Sequence, residues 1–338
     1  MRTAYLGARA RDGARVAFEL IVAGMLESTL AVDAKRGLAR APRSLPPKHL
    51  YDAKGCALFD RICDLPEYYL TRAEQLLLAR HAEEIATRAN AAALLEIGSG
   101  MARKTRLLLA AMSRRSRPVY VPFDISREAL AASAKAVLCE LPGVRVRGVL
   151  GDFTRDIPTF CAAAAPDGGP RLFAFLGSTI GNLDEHEAPA LLREVRDQMT
   201  ERDHFLLGAD LVKDHCLLSA AYNDRAGVTA AFNKNLLATA NRELWADFDL
   251  DAFTHYAPYV RDKARIEMHL RARSPQSVRL ARIGLRIDLE EGETIRTEIS
   301  RKFTRASLEE TLTQSGMQLD AWYSGADRAF ALVLARRG

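Results

Sequence analysis

Cysteine is scarce, and what there is forms no framework. The five residues, Cys56, Cys63, Cys139, Cys161 and Cys216, are odd in number and include no C-x-x-C pair. That usage argues against a disulfide scaffold and suits a reducing compartment. The histidines show no repeated ligand spacing, and His215-Cys216 stands alone, so no structural metal is expected. Long apolar runs are missing too. The N-terminal stretch Val16 to Ala23 is interrupted by Glu19 and soon followed by Glu27, too short and too charged to span a bilayer, and no cleavage site accompanies it. The chain is therefore expected to be soluble and cytoplasmic, with no membrane partner. Finally, a net charge of +5 and a pI near 9.0 come without any long Lys/Arg run interleaved with aromatics. Acids lie scattered among the bases, which predicts a solvated basic surface rather than a nucleic-acid partner.

What is present describes a folded α/β protein. Hydrophobic residues make up 48% and charged residues 27% of 338 positions, enough for one large domain or two ordinary ones. Apolar positions recur every three or four residues over 13–40, which predicts an amphipathic helix. Pro42, Pro46 and Pro47 end it, making Arg43 to Lys48 an extended connector. Thr71 with Glu74 three residues on has capping-box spacing for a helix from Arg72 to Thr87. From Ala92 the texture alternates. Strand candidates at 93–97, 118–123, 144–150, 171–176 and 204–209 are separated by helical stretches at 103–113, 126–140 and 186–199. This is the pattern of a mostly parallel sheet with helices on both faces.

After Asp210 the alternation stops. A long helical insertion over 213–246 is predicted, then strand-like stretches at 265–272, 277–281, 284–289 and 296–303. Ser307 and Glu310 have the spacing of a second capping box, for a helix ending near Gln314 and Gly316. Residues 317–323 and 329–336 read as an antiparallel hairpin at the sheet edge. The predicted division is a Rossmann-like core at 75–212 and 303–338, with 1–74 and 213–302 forming a second, substrate-binding lobe.

Leu94-Leu95-Glu96-Ile97-Gly98-Ser99-Gly100 is the most informative stretch. A buried strand closing on Gly-x-Gly leaves bare backbone N–H groups where doubly wound sheets take nucleotide-like cofactors. Arg103 stands in place of the third glycine of a dinucleotide fingerprint. That favours S-adenosylmethionine (SAM), which carries no phosphate, over a dinucleotide. The second strand ends in Asp124, an acid at the spacing that accepts hydrogen bonds from ribose hydroxyls. The third leads to Gly151-Asp152-Phe153, an acid and an aromatic suited to the amino group and ring face of adenine. Alone, Asp124 reads equally as a helix N-cap and Asp152 as a turn residue. Their succession, each after a strand end, carries the cofactor reading. The fourth strand enters a polar loop in which Asn182 offers a donor and an acceptor, or simply a turn. Glu298, Ser300 and Lys302 alternate onto one face of a late strand.

Tyr51-Asp-x-x-Gly55, Leu65-Pro-Glu-Tyr-Tyr69 with Thr71-Arg72, Glu96-x-Gly-Ser-Gly100, Val121-Pro-Phe-Asp124 and Gly151-Asp-Phe153 occur in order. Gly177-Ser-Thr-Ile-Gly-Asn182, Asp210-Leu-Val-Lys-Asp214, Gly227-Val-Thr-Ala-Ala-Phe-Asn233 and Thr297-Glu-x-Ser300 follow them. In this series the chain resembles the histidine Nα-methyltransferases of ergothioneine biosynthesis, from about Leu45 to Leu334. The resemblance implies a class I methyltransferase core with an antiparallel C-terminal hairpin, SAM as cofactor, and trimethylation of the α-amine of L-histidine to hercynine. It implies that Gly98 and Lys104 meet the methionine part of SAM, Asp124 the ribose, and Asp152 with Phe153 the adenine. It assigns the histidine carboxylate to Asn182 and Tyr222 with help from Tyr68, and the imidazole to Glu298 and Ser300. Tyr51 would lie beside the reacting amine as the catalytic residue, and Thr229 and Met268 fall in pocket-lining stretches. A monomer acting on a small amino acid is expected. Two departures stand out: Met101-Ala102 follow Gly100 where the family has small polar residues, and the N-terminal helix is longer.

Two other readings are separable. A relative acting on another amino acid, such as tryptophan, would not need both Glu298 and Ser300. A non-catalytic SAM-binding or RNA-associated protein has only the basic pI in its favour.

Overall fold

Apolar runs of five or six residues need cover on both faces, and from residue 93 onward the chain supplies it by alternating them with helices. The structure, a computed structural model, describes residues 2–9, 15–23, 29–163 and 168–338, with side chains from 18–23, 30–163 and 168–338. It opens with strands β1 (Arg2–Arg9) and β2 (Arg15–Val22), helix α1 (Thr29–Leu38) and the short β3 (Arg43–Ser44). Helices α2 (Ala53–Cys63) and α3 (Tyr69–Ala89) follow. The alternating region comprises β4 (Ala93–Ile97), α4 (Thr105–Ser113), β5 (Val119–Asp124), α5 (Arg127–Glu140) and β6 (Arg145–Leu150). It continues with α6 (Ile157–Ala162), β7 (Arg171–Phe175), α7 (Glu187–Gln198) and β8 (His204–Asp210).

Two helices, α8 (His215–Tyr222) and α9 (Val228–Leu244), then precede β9 (Phe253–Tyr256), β10 (Tyr259–Val260) and β11 (Arg265–Ala272). After these come β12 (Gln276–Leu280), β13 (Leu285–Leu289) and β14 (Thr294–Arg301). Helix α10 (Arg305–Gln314) and strands β15 (Met317–Ser324) and β16 (Phe330–Arg337) close the chain.

The chain divides into two compact units. The first comprises Met1–Met25, Leu70–Val212 and Phe303–Gly338; the second comprises Leu26–Tyr69 and Lys213–Lys302. In the first, nine strands form one sheet in the order β1-β2-β6-β5-β4-β7-β8-β16-β15. Strands β4 to β8 are mutually parallel, and β16 runs antiparallel to β8 with β15 outside it. The chain winds outward from β4 through β5 to β6, then returns to β7 on the other side of β4. The reversal between β4 and β7 is a topological switch point, where open α/β sheets bind ligands. Leu95, Val121, Phe123, Phe173, Phe175, Phe205 and Leu207 belong to the core cluster on this sheet.

In the second unit β10, β11, β14 and β3 form a sheet, with β9 also paired to β11, and β12 and β13 make a separate hairpin. Helices α8 and α9 pack on β11.

Five expectations are corrected. Residues 15–22 form a strand, not part of a helix; among the described residues of the predicted 13–40, those at 29–38 are helical. Short apolar runs are ambiguous by period, and Val16, Phe18, Ile21 and Val22 favour the extended form. The strand pairs in parallel with β6 from Glu19 to Val22, and Glu19 bridges to Arg147 at 3.1 Å. The N-terminal strand pair thus belongs to the large sheet rather than to the predicted second lobe. The insertion at 213–246 is two helices, separated around Gly227 with its φ of +70°. The Thr71–Glu74 box does not form, because α3 already begins at Tyr69 and Glu74 is buried. The box of α10 lies one turn earlier than predicted. Thr304 accepts from the Ser307 N–H at 3.1 Å, and Ser307 Oγ accepts from the Thr304 N–H at 3.0 Å.

This last assignment is testable by denaturant unfolding. Thr304→Ala is expected to cost about 1 kcal/mol of stability. Glu310→Ala, which would have broken the predicted box, is expected to change it by less than about 0.5 kcal/mol.

Candidate functional site

In the first unit the ends of β6, β5, β4, β7 and β8 line one edge of the sheet. Gly98 and Gly100, after β4, have φ of +66° and +49°, which L side chains rarely adopt. A methyl group on Gly100 would meet nothing within 4 Å, and one on Gly98 only Thr179 Cγ2 at 3.9 Å, so the turn is open to an approaching molecule. Its own amides are engaged: the Gly98 and Ser99 N–H groups donate to the Phe123 carbonyl at 2.8 and 3.2 Å. The Gly100 N–H donates to Asp124 Oδ2 at 2.8 Å and the Ser126 N–H to Oδ1 at 2.9 Å. The cap of α5 is Ser126, whose hydroxyl accepts from the Ala129 N–H at 3.2 Å. Asp124 is therefore not the helix cap. Burial raises its pKa, against backbone N–H groups that lower it.

On the neighbouring strand end, Asp152 Oδ1 accepts from the Thr154 N–H and hydroxyl at 3.0 and 2.7 Å. Phe153 stands edge-on to Phe175, with ring centroids 5.7 Å apart. Asn182 closes the 3-10 turn Thr179–Asn182 after β7. Gly98, Asp124, Asp152, Phe153 and Asn182 thus occupy four adjacent strand ends. The open glycine turn, a carboxylate at the second strand and an acid–aromatic pair at the third fit a SAM molecule laid along this edge.

Lys104 is engaged with a partner that sequence reasoning misread. Glu74, with no exposed surface, is ion-paired to Lys104 and accepts the Gly177 N–H at 2.8 Å. A methyl group on Gly208 would lie 1.9 Å from Glu74 Oε1, so the glycine in β8 is what admits this carboxylate. The capping-box spacing hid Glu74. The available signal was Gly208 itself, a glycine inside an apolar strand, which marks close approach. Nearby, Glu96 accepts hydrogen bonds from the Thr105 hydroxyl and, at 2.5 Å, from the Tyr120 hydroxyl. Burial pushes the Glu96 carboxyl up to about 7.

In the second unit, Asp52 holds Tyr51 in place. It caps α2 by accepting the Gly55 N–H at 2.7 Å, and it also accepts from Asn235, Thr239 and Arg242 of α9 at 2.8, 3.1 and 2.9 Å. Gly55 is required by close approach, since a methyl there would fall 1.7 Å from the Leu50 carbonyl oxygen. The Tyr51 ring meets Phe59 and Phe232 edge-on at 5.6 and 5.5 Å. Phe59 in turn meets Tyr68, and Tyr68 meets Tyr222, each at 6.2 Å. Burial drives the Tyr68 hydroxyl pKa well up, with Tyr222, Cys63, Tyr51 and Glu298 adding to it. The structure therefore brings Tyr51, Tyr68, Tyr222 and Glu298 together.

Ser300 joins them through Tyr222, whose hydroxyl lies 2.6 Å from Ser300 Oγ. Lys302, only 4% exposed, donates to both, at 3.0 Å to Tyr222 and 2.8 Å to Ser300. Alternation puts Lys302 on the face of Glu298 and Ser300, but nothing in the sequence assigns it a role. Behind this group Asn233 donates to the His269 carbonyl at 3.0 Å and to His255 Nδ1 at 2.9 Å, and accepts from Thr297 at 2.5 Å. His255 Nε2 then carries the proton and donates to the Tyr222 carbonyl at 2.8 Å, consistent with burial lowering its pKa. Met268 is buried opposite Glu298 in the ladder, and Thr229 is buried in the first turn of α9.

Among the described residues, one group could hold a metal: exposed Asp214, His215 and Cys216, with ligand atoms within 4.8 Å of one another. The Asp214 carboxylate already caps α8 through the Cys216 and Leu217 N–H groups. No helix among the described residues is long and apolar enough to cross a membrane.

Residues 30–337 match a family model described as histidine-specific methyltransferase, SAM-dependent. The chain is 44% identical over 322 residues to histidine N-alpha-methyltransferase of Mycolicibacterium smegmatis, covering 94% of this chain and 98% of that protein. It is 44% identical over 306 residues to the protein of that name from Mycobacterium tuberculosis, covering 90% and 94%. It is also 36% identical over 205 residues to ergothioneine biosynthesis protein 1 of Neurospora crassa, covering 59% of this chain and 23% of that protein.

The buried Glu96 makes stability depend on pH. Its carboxyl titrates near the ordinary 4.5 when unfolded and near 7 when folded. Between those values the unfolded chain releases a proton that the native state keeps, so stability falls as pH rises and levels off above about 7. The loss is about 3 kcal/mol. Glu96→Gln is expected to remove it, so that urea unfolding at about pH 4.5 and about pH 8 shows the variant gaining on wild type by that amount. A constant difference would place the Glu96 proton elsewhere.

Proposed function

Because this chain belongs to the family of SAM-dependent, histidine-specific methyltransferases, we propose that it methylates the α-amine of L-histidine three times, giving hercynine, the first step of ergothioneine biosynthesis. The observation that carries the substrate reading is the buried polar group of Glu298, Ser300 and Tyr222 beside Tyr68. A Glu accepts from one imidazole N–H and a Ser hydroxyl donates to the other nitrogen, a pair of partners an indole could not use together. Tyr222, with Tyr68 and Asn182, is proposed to donate to the carboxylate, and Tyr51 to stand beside the amine.

For the cofactor we propose Gly98 and Lys104 at the methionine part, Asp124 at the ribose, and Asp152 with Phe153 at the adenine. Lys104 keeps donors for this after pairing with Glu74, since an ammonium has three. When bound, SAM supplies an electrophilic methyl group on a sulfonium sulfur. The protein's contribution is then chiefly orientation of a neutral amine, for which effective concentration supplies up to about 7–11 kcal/mol. No metal is proposed to take part, and we propose a cytoplasmic monomer without a nucleic-acid partner.

Incubation with SAM and L-histidine is expected to yield mono-, di- and trimethylhistidine by mass spectrometry. Turnover of another amino acid with histidine untouched would refute the substrate assignment. Glu298→Ala is expected to raise the KM for histidine by about tenfold or more, since it removes a buried partner worth roughly 1–3 kcal/mol. The Kd for SAM should stay within about twofold. An equal loss for both ligands would make Glu298 a structural residue.

A further inference from the structure

We infer that Glu74 is a specificity-determining residue: it keeps the Lys104 end of the sheet edge electrically neutral, so that this end accepts the sulfonium of SAM as well as the uncharged thioether of S-adenosylhomocysteine. The inference rests on placing the methionine part of the cofactor at Lys104. Glu74 of α3 has no exposed surface, whereas the Lys104 side chain is 19% exposed. The Glu74 carboxylate is ion-paired to Lys104, and the Gly177 N–H approaches its two oxygens at 2.8 and 3.0 Å. On another side β8 passes so closely that a methyl group on Gly208 would lie 1.9 Å from Oε1. The carboxylate is thus enclosed, and the ammonium is the part of the pair that reaches the surface. Thr179 joins this pair to the glycine turn. A methyl group on Gly98 would meet Thr179 Cγ2 at 3.9 Å, and one on Gly177 would meet Thr179 Oγ1 at 3.5 Å and Lys104 Nζ at 3.6 Å.

The methionine part of either ligand is a zwitterion, with a carboxylate for Lys104 and an ammonium beside it. SAM adds a second positive charge, on sulfur, two methylenes from the α-carbon. An unpaired Lys104 would act on the carboxylate and ammonium of both ligands alike, and would in addition repel the sulfonium that SAM alone has. A buried countercharge cancels that added repulsion and still leaves Lys104 donors for the carboxylate. The other acids near the pair are Asp124 and Asp152 on the neighbouring strand ends and Glu96 of β4. Burial holds the Glu96 carboxyl up to about 7, with Lys104 lowering it and Glu74 raising it, so loss of Glu74 would let Glu96 ionise in its place. A clean comparison therefore has Glu96→Gln in every chain.

The Kd values of SAM and S-adenosylhomocysteine are to be measured by calorimetry with the full chain at about pH 6, where both ligands are zwitterionic. Glu74→Gln keeps an oxygen that can accept from Lys104 and Gly177 and deletes the charge. It is expected to raise the ratio of the SAM Kd to the S-adenosylhomocysteine Kd by about fivefold, the effect of one partly screened charge. Adding Lys104→Met removes the opposite charge as well. The ratio should then return to within about 1.5-fold of its starting value, while both ligands bind about tenfold more weakly for want of the carboxylate's partner. A merely structural role for Glu74 would lower both affinities together and leave the ratio unmoved. Gly208→Ala keeps both charges but forces the carboxylate off Lys104; it is expected to move the ratio the same way by at least about twofold, and serves if Glu74→Gln fails to fold. A ratio that stays within about 1.5-fold in whichever of these variants folds, or one that the double substitution does not restore, overturns the inference. Undiminished binding of both ligands in the double variant would instead remove Lys104 from the methionine part, and this inference with it.

Discussion

The ion pair of Glu74 with Lys104 governs the edge of the first unit's sheet that carries the glycine turn. A carboxylate with no exposed surface costs several kcal/mol unless it is paired and hydrogen-bonded. Here the requirement is met by Lys104, ahead of α4, and by the Gly177 N–H after β7. These belong to the two loops that flank the topological switch point. Gly177 and Ser178 hold φ of +77° and +58°, and that left-handed path is what delivers the amide to the carboxylate. Gly208 completes the constraint by leaving room for Glu74 in β8. The edge on which the glycine turn, Asp124 and Asp152 stand is thus fixed by a charge network that lies beside it.

The second unit applies the same physics with different groups. Asp52, which caps α2, draws it onto α9 through three acceptor contacts, and Asn233 draws α9 onto β11 and β14. His255 passes the constraint on to the Tyr222 carbonyl. Each tie is a buried polar group that becomes expensive if its partner moves. The aromatic chain from Tyr51 through Phe59 and Tyr68 to Tyr222 has little choice of geometry once these ties are made.

Legibility followed the strength of local pattern. Strands β4 to β8 were readable because each is a short apolar run between turn signals, and every predicted strand from 93 to 209 overlaps an observed one. The N-terminal strand was not, because an apolar run with Glu19 in the middle has no period that separates strand from helix. Capping boxes misled twice, since Ser/Thr-x-x-Glu spacing is common and burial decides whether it is used. Glu74 is the sharper case, because its partners lie 30 and 103 residues away. Lys302 was visible as a member of a strand face, but a lysine on an alternating strand ordinarily faces water. Only the fold shows it to be buried against two hydroxyls.

The motif residues also divide by remaining hydrogen-bond capacity, a distinction the sequence cannot draw. The Asn233 side chain uses both amide hydrogens for His269 and His255 and accepts from Thr297, so it has no donor left to offer a ligand. Asp52 accepts from four donors and is equally committed. Gly55 is demanded by the Leu50 carbonyl, not by any bound molecule. These residues recur in the motif series because they hold the others. Ser300 is different in kind: Lys302 and Tyr222 approach its oxygen, yet a hydroxyl has one proton and two lone pairs, so those two contacts cannot exhaust it. The hydroxyls of this unit thus keep hydrogen-bond capacity, while Asp52 acts as scaffold.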